Sequence, residues 1–116
     1  MNEAAILEGE IIYSKPYYKL QIEAVEVFDV YSKFINWVSG EFDLYLQDTS
    51  RGIKIYYPNG WFSIKKSDCV HENIDMKITV VSKSKTGCQK KHSQLVSIYN
   101  QINSLLCKSD LKSKQY

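Results

Sequence analysis

In the first third of the chain the apolar residues recur at three- and four-residue steps. Tyr17, Leu20, Ala24, Val27, Phe28, Tyr31, Phe34, Ile35 and Val38 fall on one stripe when wound at about 100° per residue. Ser14-Lys15-Pro16 stands before them as a helix start, and Gly40 stands where a helix stops. The spacing predicts a long amphipathic helix over 17–39. A second pattern overlaps it, because Tyr18, Leu20, Ile22 and Ala24 alternate with Lys19, Gln21 and Glu23. With β-branched residues frequent here, that alternation supports a strand over 18–24 instead. Residues 4–13 offer an extra N-terminal edge strand.

The period then changes to two. Phe42, Leu44 and Leu46 alternate with Asp43, Tyr45 and Gln47, which predicts a strand over 42–47 before the polar turn Asp48–Gly52. Next, Asn59-Gly60 separates two alternating runs, the signature of a two-residue hairpin with a type I′ turn. That turn would set Tyr57 opposite Phe62 and Ile55 opposite Ile64, with Ile53 on the same core face. Lys54, Tyr56, Ser63 and Lys65 take the other face, with Trp61 beside Pro58 at the tip. A fourth strand fits 74–81, through Ile74, Met76, Ile78 and Val80. After Gly87, Leu95, Ile98, Tyr99, Ile102, Leu105 and Leu106 form the stripe of a second helix over 88–107.

The expected architecture is α+β: an antiparallel four-stranded meander with two amphipathic helices (α-β-β-β-β-α) on one sheet face. Residues 1–107 form one domain, and 108–116 is a polar, basic tail expected to fray. Length agrees, since 116 residues suit one core.

Composition adds an excess of rings: nine Tyr, four Phe and two Trp. A core of this size accommodates only part of them, which places some near the surface. Charge is uneven. Residues 1–50 hold nine acids against three lysines, whereas residues 51–116 hold twelve basic residues against four acids. Such asymmetry marks either a charged partner or two halves that attract each other. No run of 18 apolar residues occurs and no basic-then-apolar leader opens the chain, so no membrane span or signal is expected. Three cysteines, Cys69, Cys88 and Cys107, leave at least one unpaired and suit a reducing, cytoplasmic setting.

Candidate chemistry is thin. Cys69, His71, Cys88 and His92 offer a zinc donor set, but Cys-x-His is not the usual loop spacing, and Cys88 and His92 continue the second helix's apolar stripe. The same residues with Asp75 supply a Cys–His nucleophile only if the fold gathers them. Neither Glu8/Glu10 nor Glu23/Glu26 stands out from ordinary exposed acids. Lys83 to Gly87 lacks the glycines of a phosphate-cradling loop. The expectation is no enzyme, no cofactor and no metal.

Two surfaces remain. The first combines Lys54, Tyr56, Trp61 and Lys65 on the outer hairpin face with Trp37, which falls off the first helix's stripe. Rings flanked by charge are the composition of protein-interface hot spots, and they also stack bases. The second is Lys83, Lys85, Lys90 and Lys91 at a helix start, suited to phosphates. A helix, antiparallel strands and a helix opened by paired lysines resembles the outline of a double-stranded-RNA-binding domain, which implies reading of duplex shape and phosphates. The small-residue packing pattern of that family's second helix is absent, with Gln94, Tyr99, Asn100 and Gln101 in its place. The first surface leads to the expected function: binding of another protein, a toxin or host factor, as an inhibitor of the immunity, antitoxin or phage-modulator type. Nucleic-acid binding through Lys83–Lys91 and the basic tail is the alternative.

Overall fold

The computed structural model describes residues 7–50, 52–67 and 73–114, with side chains as far as 105. In chain order its elements are β1 (Ile11–Ser14), β2 (Tyr17–Val27), α1 (Phe28–Glu41), β3 (Leu46–Asp48), β4 (Ile53–Tyr57), β5 (Gly60–Lys66), β6 (Asn73–Ser82) and α2 (Lys85–Lys114). The strands form one antiparallel sheet in the order β1-β2-β6-β5-β4-β3. The α+β class and the four-stranded meander, β3 to β6, match the sequence pattern. The sheet is nevertheless six-stranded, because a β1–β2 hairpin closes against β6.

That hairpin overturns the helix over 17–39. The competing alternation is the one the fold uses, and it runs further than 18–24. β2 pairs with β6 over ten residues, from Tyr18 opposite Ser82 to Val27 opposite Asn73. Leu20 and Ile22 are buried on one side while Lys19, Gln21 and Glu23 stay exposed on the other. No glycine or proline marks where strand becomes helix. Val27 is the N-cap, with extended backbone (φ −77°, ψ 149°) and no side-chain cap, and α1 begins at the next residue. An uncapped transition of this kind leaves no turn signal in the sequence. The strand that opens the sheet also removes the double-stranded-RNA-binding outline, which begins with a helix.

The strand expected over 42–47 shrinks to β3. Helix α1 runs one residue past Gly40, and Phe42 caps it by donating its N–H to the Val38 carbonyl (3.0 Å). The Phe42 ring turns inward to meet Phe62 edge-on, with centroids 5.1 Å apart. Gln47 then holds the connection, donating to the carbonyls of Ser39 and Phe42 and accepting from the Ser39 hydroxyl, each at 2.9 Å. Leu44, 95% exposed, and Leu46, 72% exposed, are thus not core residues.

The β4–β5 turn is also displaced. Tyr57 pairs with Gly60, so the two turn residues are Pro58 and Asn59, and Ile55 faces Phe62. Proline locks φ near −65° and cannot enter a type I′ turn, which needs positive φ. Moving the turn by one residue shifts pairing by two, so every side chain keeps its expected face. Gly60 allows a close approach: a Cβ there would lie 1.9 Å from the Val81 carbonyl oxygen. Gly52, at φ +89°, has its own requirement, since a Cβ would meet the Ile64 carbonyl oxygen at 2.2 Å.

Both helices cover one face of the sheet. The core joins Leu20 and Ile22 of β2, Ile53 and Ile55 of β4, Phe62 and Ile64 of β5, and Ile74, Met76, Ile78 and Val80 of β6 to Phe34 and Val38 of α1 and Leu95, Tyr99 and Ile102 of α2. Phe34 and Tyr99 meet edge-on at 5.5 Å, fastening the helices to each other. Helix α2 starts at Lys85, earlier than the pattern suggested, because Ser84 caps it by accepting the Gly87 N–H (2.9 Å). Its backbone stays helical to Lys114, beyond the expected end at 107. None of the described helices is long and apolar enough to cross a membrane.

Candidate binding face

The opposite sheet face carries no helix, and no described element lies across it. Cross-strand pairing aligns one row over all six strands: Ile12, Lys19, Val81, Trp61, Tyr56 and Leu46. A second row reads Gln21, Thr79, Ser63, Lys54 and Asp48, and a third Glu23, Lys77 and Lys65. The fold therefore brings Lys54, Tyr56, Trp61 and Lys65 together on an open face, as the hairpin pattern predicted. Lys54 lies over two of its rings, with Nζ 4.2 Å from the Trp61 centroid and 5.1 Å from that of Tyr56. Ser63 and Thr79, although on the open face, are buried in the floor between these larger side chains. Asp48 edges the patch, its carboxyl held below the usual range by the N–H and hydroxyl of Ser50, with Lys54 and Lys65 adding to the effect.

Trp37 does not belong to this face. It is half-buried on α1, packed against the core on the helical side of the sheet. It stands at the edge of the buried stripe of α1, which is built from Val30, Tyr31, Phe34 and Val38.

The lysines at 83–91 do not form one site either. Lys83, Lys85 and Lys90 are exposed, but Lys91 folds back over the rings of Tyr57 (4.8 Å) and Phe42 (5.4 Å) on the helical side. Burial, then the Lys90 charge, depress its pKa. Lys83 lies instead at the end of the open face, where it lines one cleft with Trp61.

Cys88 and His92 are occupied structurally. Cys88 is fully buried, with Sγ 3.7 Å from the Val80 carbonyl, and burial raises its thiol pKa. His92 donates Nε2–H to the Leu7 carbonyl (2.8 Å), which ties the N-terminal segment to α2. Asp75 stands on the open face, across the sheet from Cys88, so among the described residues Cys88 and His92 form no nucleophile triad with it. Cys69 and His71 lie outside the described residues, and among the described residues no three His, Cys, Asp or Glu side chains gather as a metal site. Glu23 and Glu26 fall on opposite faces. Glu26 accepts the Tyr99 hydroxyl, whose pKa is pushed up by burial and then by that carboxylate.

The sequence reading missed the β1–β2 end of the face. Lys15, Tyr17 and Lys19 join Trp61, Val81 and Lys83 there around a cleft of about 610 Å³. Assigned to a helix, those residues had no neighbours on the hairpin; the alternation over 18–24 was the signal that could have placed Lys19. No family model matches the chain, and no curated protein matches its sequence.

Proposed function

We propose that this protein works by binding another protein through its open sheet face. The observation that carries the reading is the six-strand row through Tyr56 and Trp61, over which no described element lies, on a sheet whose other side packs against both helices. An antiparallel sheet can leave one face to water, but that face then normally reads polar. Here it presents Leu46, Ile12, Tyr56 and Trp61, with exposures of 72% for Leu46 and 60% for Ile12. Apolar area rimmed by lysines is the make-up of an association surface, and aromatic anchors supply most of the affinity in such contacts. A small domain that covers a partner in this way fits an inhibitor of the immunity, antitoxin or phage-modulator type.

The decisive experiment compares the wild-type chain with Tyr56→Ala/Trp61→Ala in capture from its own cell extract, followed by rebinding of the captured protein in purified form. Loss of purified-partner binding by tenfold or more, on the order of 1.4 kcal/mol, is expected while the unfolding midpoint holds. Equal binding by both chains would remove the open face from the interface. Nucleic-acid binding is the second reading, favoured by exposed lysines beside rings; it requires retention that falls steeply with rising salt.

A further inference from the structure

The cleft at the end of the open face has a chemistry that the rest of the face lacks. Three segments build it: Lys15 of the β1–β2 turn with Tyr17 at the start of β2, Trp61 of the β4–β5 hairpin, and Val81 of β6 with Lys83 just beyond its end. Lys19 of β2 completes the wall, directly opposite Val81 in the pairing. Among the described residues no carboxylate lines this cleft. Among the described residues the ion pair that forms is local to α1, Lys33 with Asp29 at 3.1 Å, so Lys15, Lys19 and Lys83 have no acidic partner there. Like charges drawn to one place repel, and an anion from outside relieves that repulsion. The floor is apolar, since Val81 is only 7% exposed beneath this wall.

We infer that this cleft takes an acidic peptide segment of the partner protein, carboxylates against the three lysines and one apolar side chain against Trp61 and Val81. The inference rests on the protein-binding reading and names the partner's contact chemistry. A nucleic-acid strand fits less well for two reasons. Lys54 already occupies one side of the Trp61 ring, taking part of the π-surface that stacked bases need. Further along the face, Glu23, Asp75 and Asp48 oppose a phosphate backbone running down the strands. A short acidic segment confined to the cleft avoids those carboxylates.

The test titrates the full chain with a labelled peptide of Glu and Asp around a central Phe, read by anisotropy and by Trp fluorescence. Saturable binding is expected below about 1 mM at low salt. Lys15→Glu/Lys19→Glu/Lys83→Glu should weaken it by about tenfold or more, while Lys33→Glu on α1 leaves it unchanged. If the triple variant proves unstable, single Lys19→Gln and Lys83→Gln replacements at exposed positions should each weaken binding about threefold. The inference falls if the peptide fails to saturate, if a lysine-for-acid peptide binds equally, if the variants bind as wild type, or if oligothymidylate binds more tightly. Absent peptide binding with intact dependence of partner capture on Tyr56 and Trp61 overturns the cleft alone. Loss of both overturns the protein-binding reading as well.

Discussion

The ammonium of Lys54 sits 4.2 Å from the centre of the Trp61 ring, and the two residues belong to adjacent strands in neighbouring rows of the open face. A half-buried lysine held over a ring loses rotamer freedom and gains about 0.5–1 kcal/mol from the contact. Lys54→Ala should therefore lower stability by no more than that, read from a urea unfolding midpoint. The same change should raise the accessibility of Trp61 to a collisional quencher. Unchanged quenching would show that Lys54 does not shield the ring in solution.

Gly60 allows the hairpin to lie against β6. Gly60→Ala places a methyl 1.9 Å from the Val81 oxygen, so β5 and β6 must part or the turn must move. A loss of about 2 kcal/mol or more is expected, because neighbouring backbone cannot swing aside as a side chain does. Chemical denaturation measures it, and a near-neutral result would place Gly60 away from β6.

Phe42 and Leu44 separate the observed fold from a strand over 42–47. A strand with both on its inner face would make each costly to truncate. In this fold Phe42→Ala should cost about 3–5 kcal/mol, whereas Leu44→Ser should stay within about 0.5 kcal/mol. Comparable losses from both would restore the strand.

Tyr57 ties the hairpin to β6 by donating its hydroxyl to the Val81 carbonyl at 2.7 Å. Burial pushes its pKa up to about 12. A phenol of raised pKa keeps its proton in the folded state after the unfolded chain has lost it. Its contribution is thus complete below the ordinary value near 10 and is lost as pH rises towards about 12. Burial shifts Tyr31 and Tyr99 in the same direction, so the unfolding midpoint should decline across that alkaline window. Tyr57→Phe should make the decline shallower and cost about 1 kcal/mol at neutral pH through the lost hydrogen bond.

Cys88 gives a check on core packing. Fully buried and with a raised thiol pKa, it should react with a thiol reagent only as the domain opens. Labelling of a chain whose other cysteines are replaced should speed up sharply near the unfolding midpoint; fast labelling under native conditions would expose the site.

Local pattern alone determined the meander, the second helix and the outer face of the β4–β5 hairpin. Period-two alternation survives a misplaced turn, because shifting the turn by one residue leaves each side chain on its face, and so Lys54, Tyr56, Trp61 and Lys65 were legible together. Tertiary pairing decided the rest. Residues 17–27 satisfy both a helical and a strand period, and only the ten-residue ladder with β6, which buries Leu20 and Ile22 beneath two helices, selects the strand. That choice pulled Trp37 into the helical layer, sent Lys91 over Tyr57 and Phe42, and set Lys15 and Lys19 beside Trp61 and Lys83. Contacts between residues tens of positions apart in sequence carry no local signal, because their energy is released only when the sheet closes.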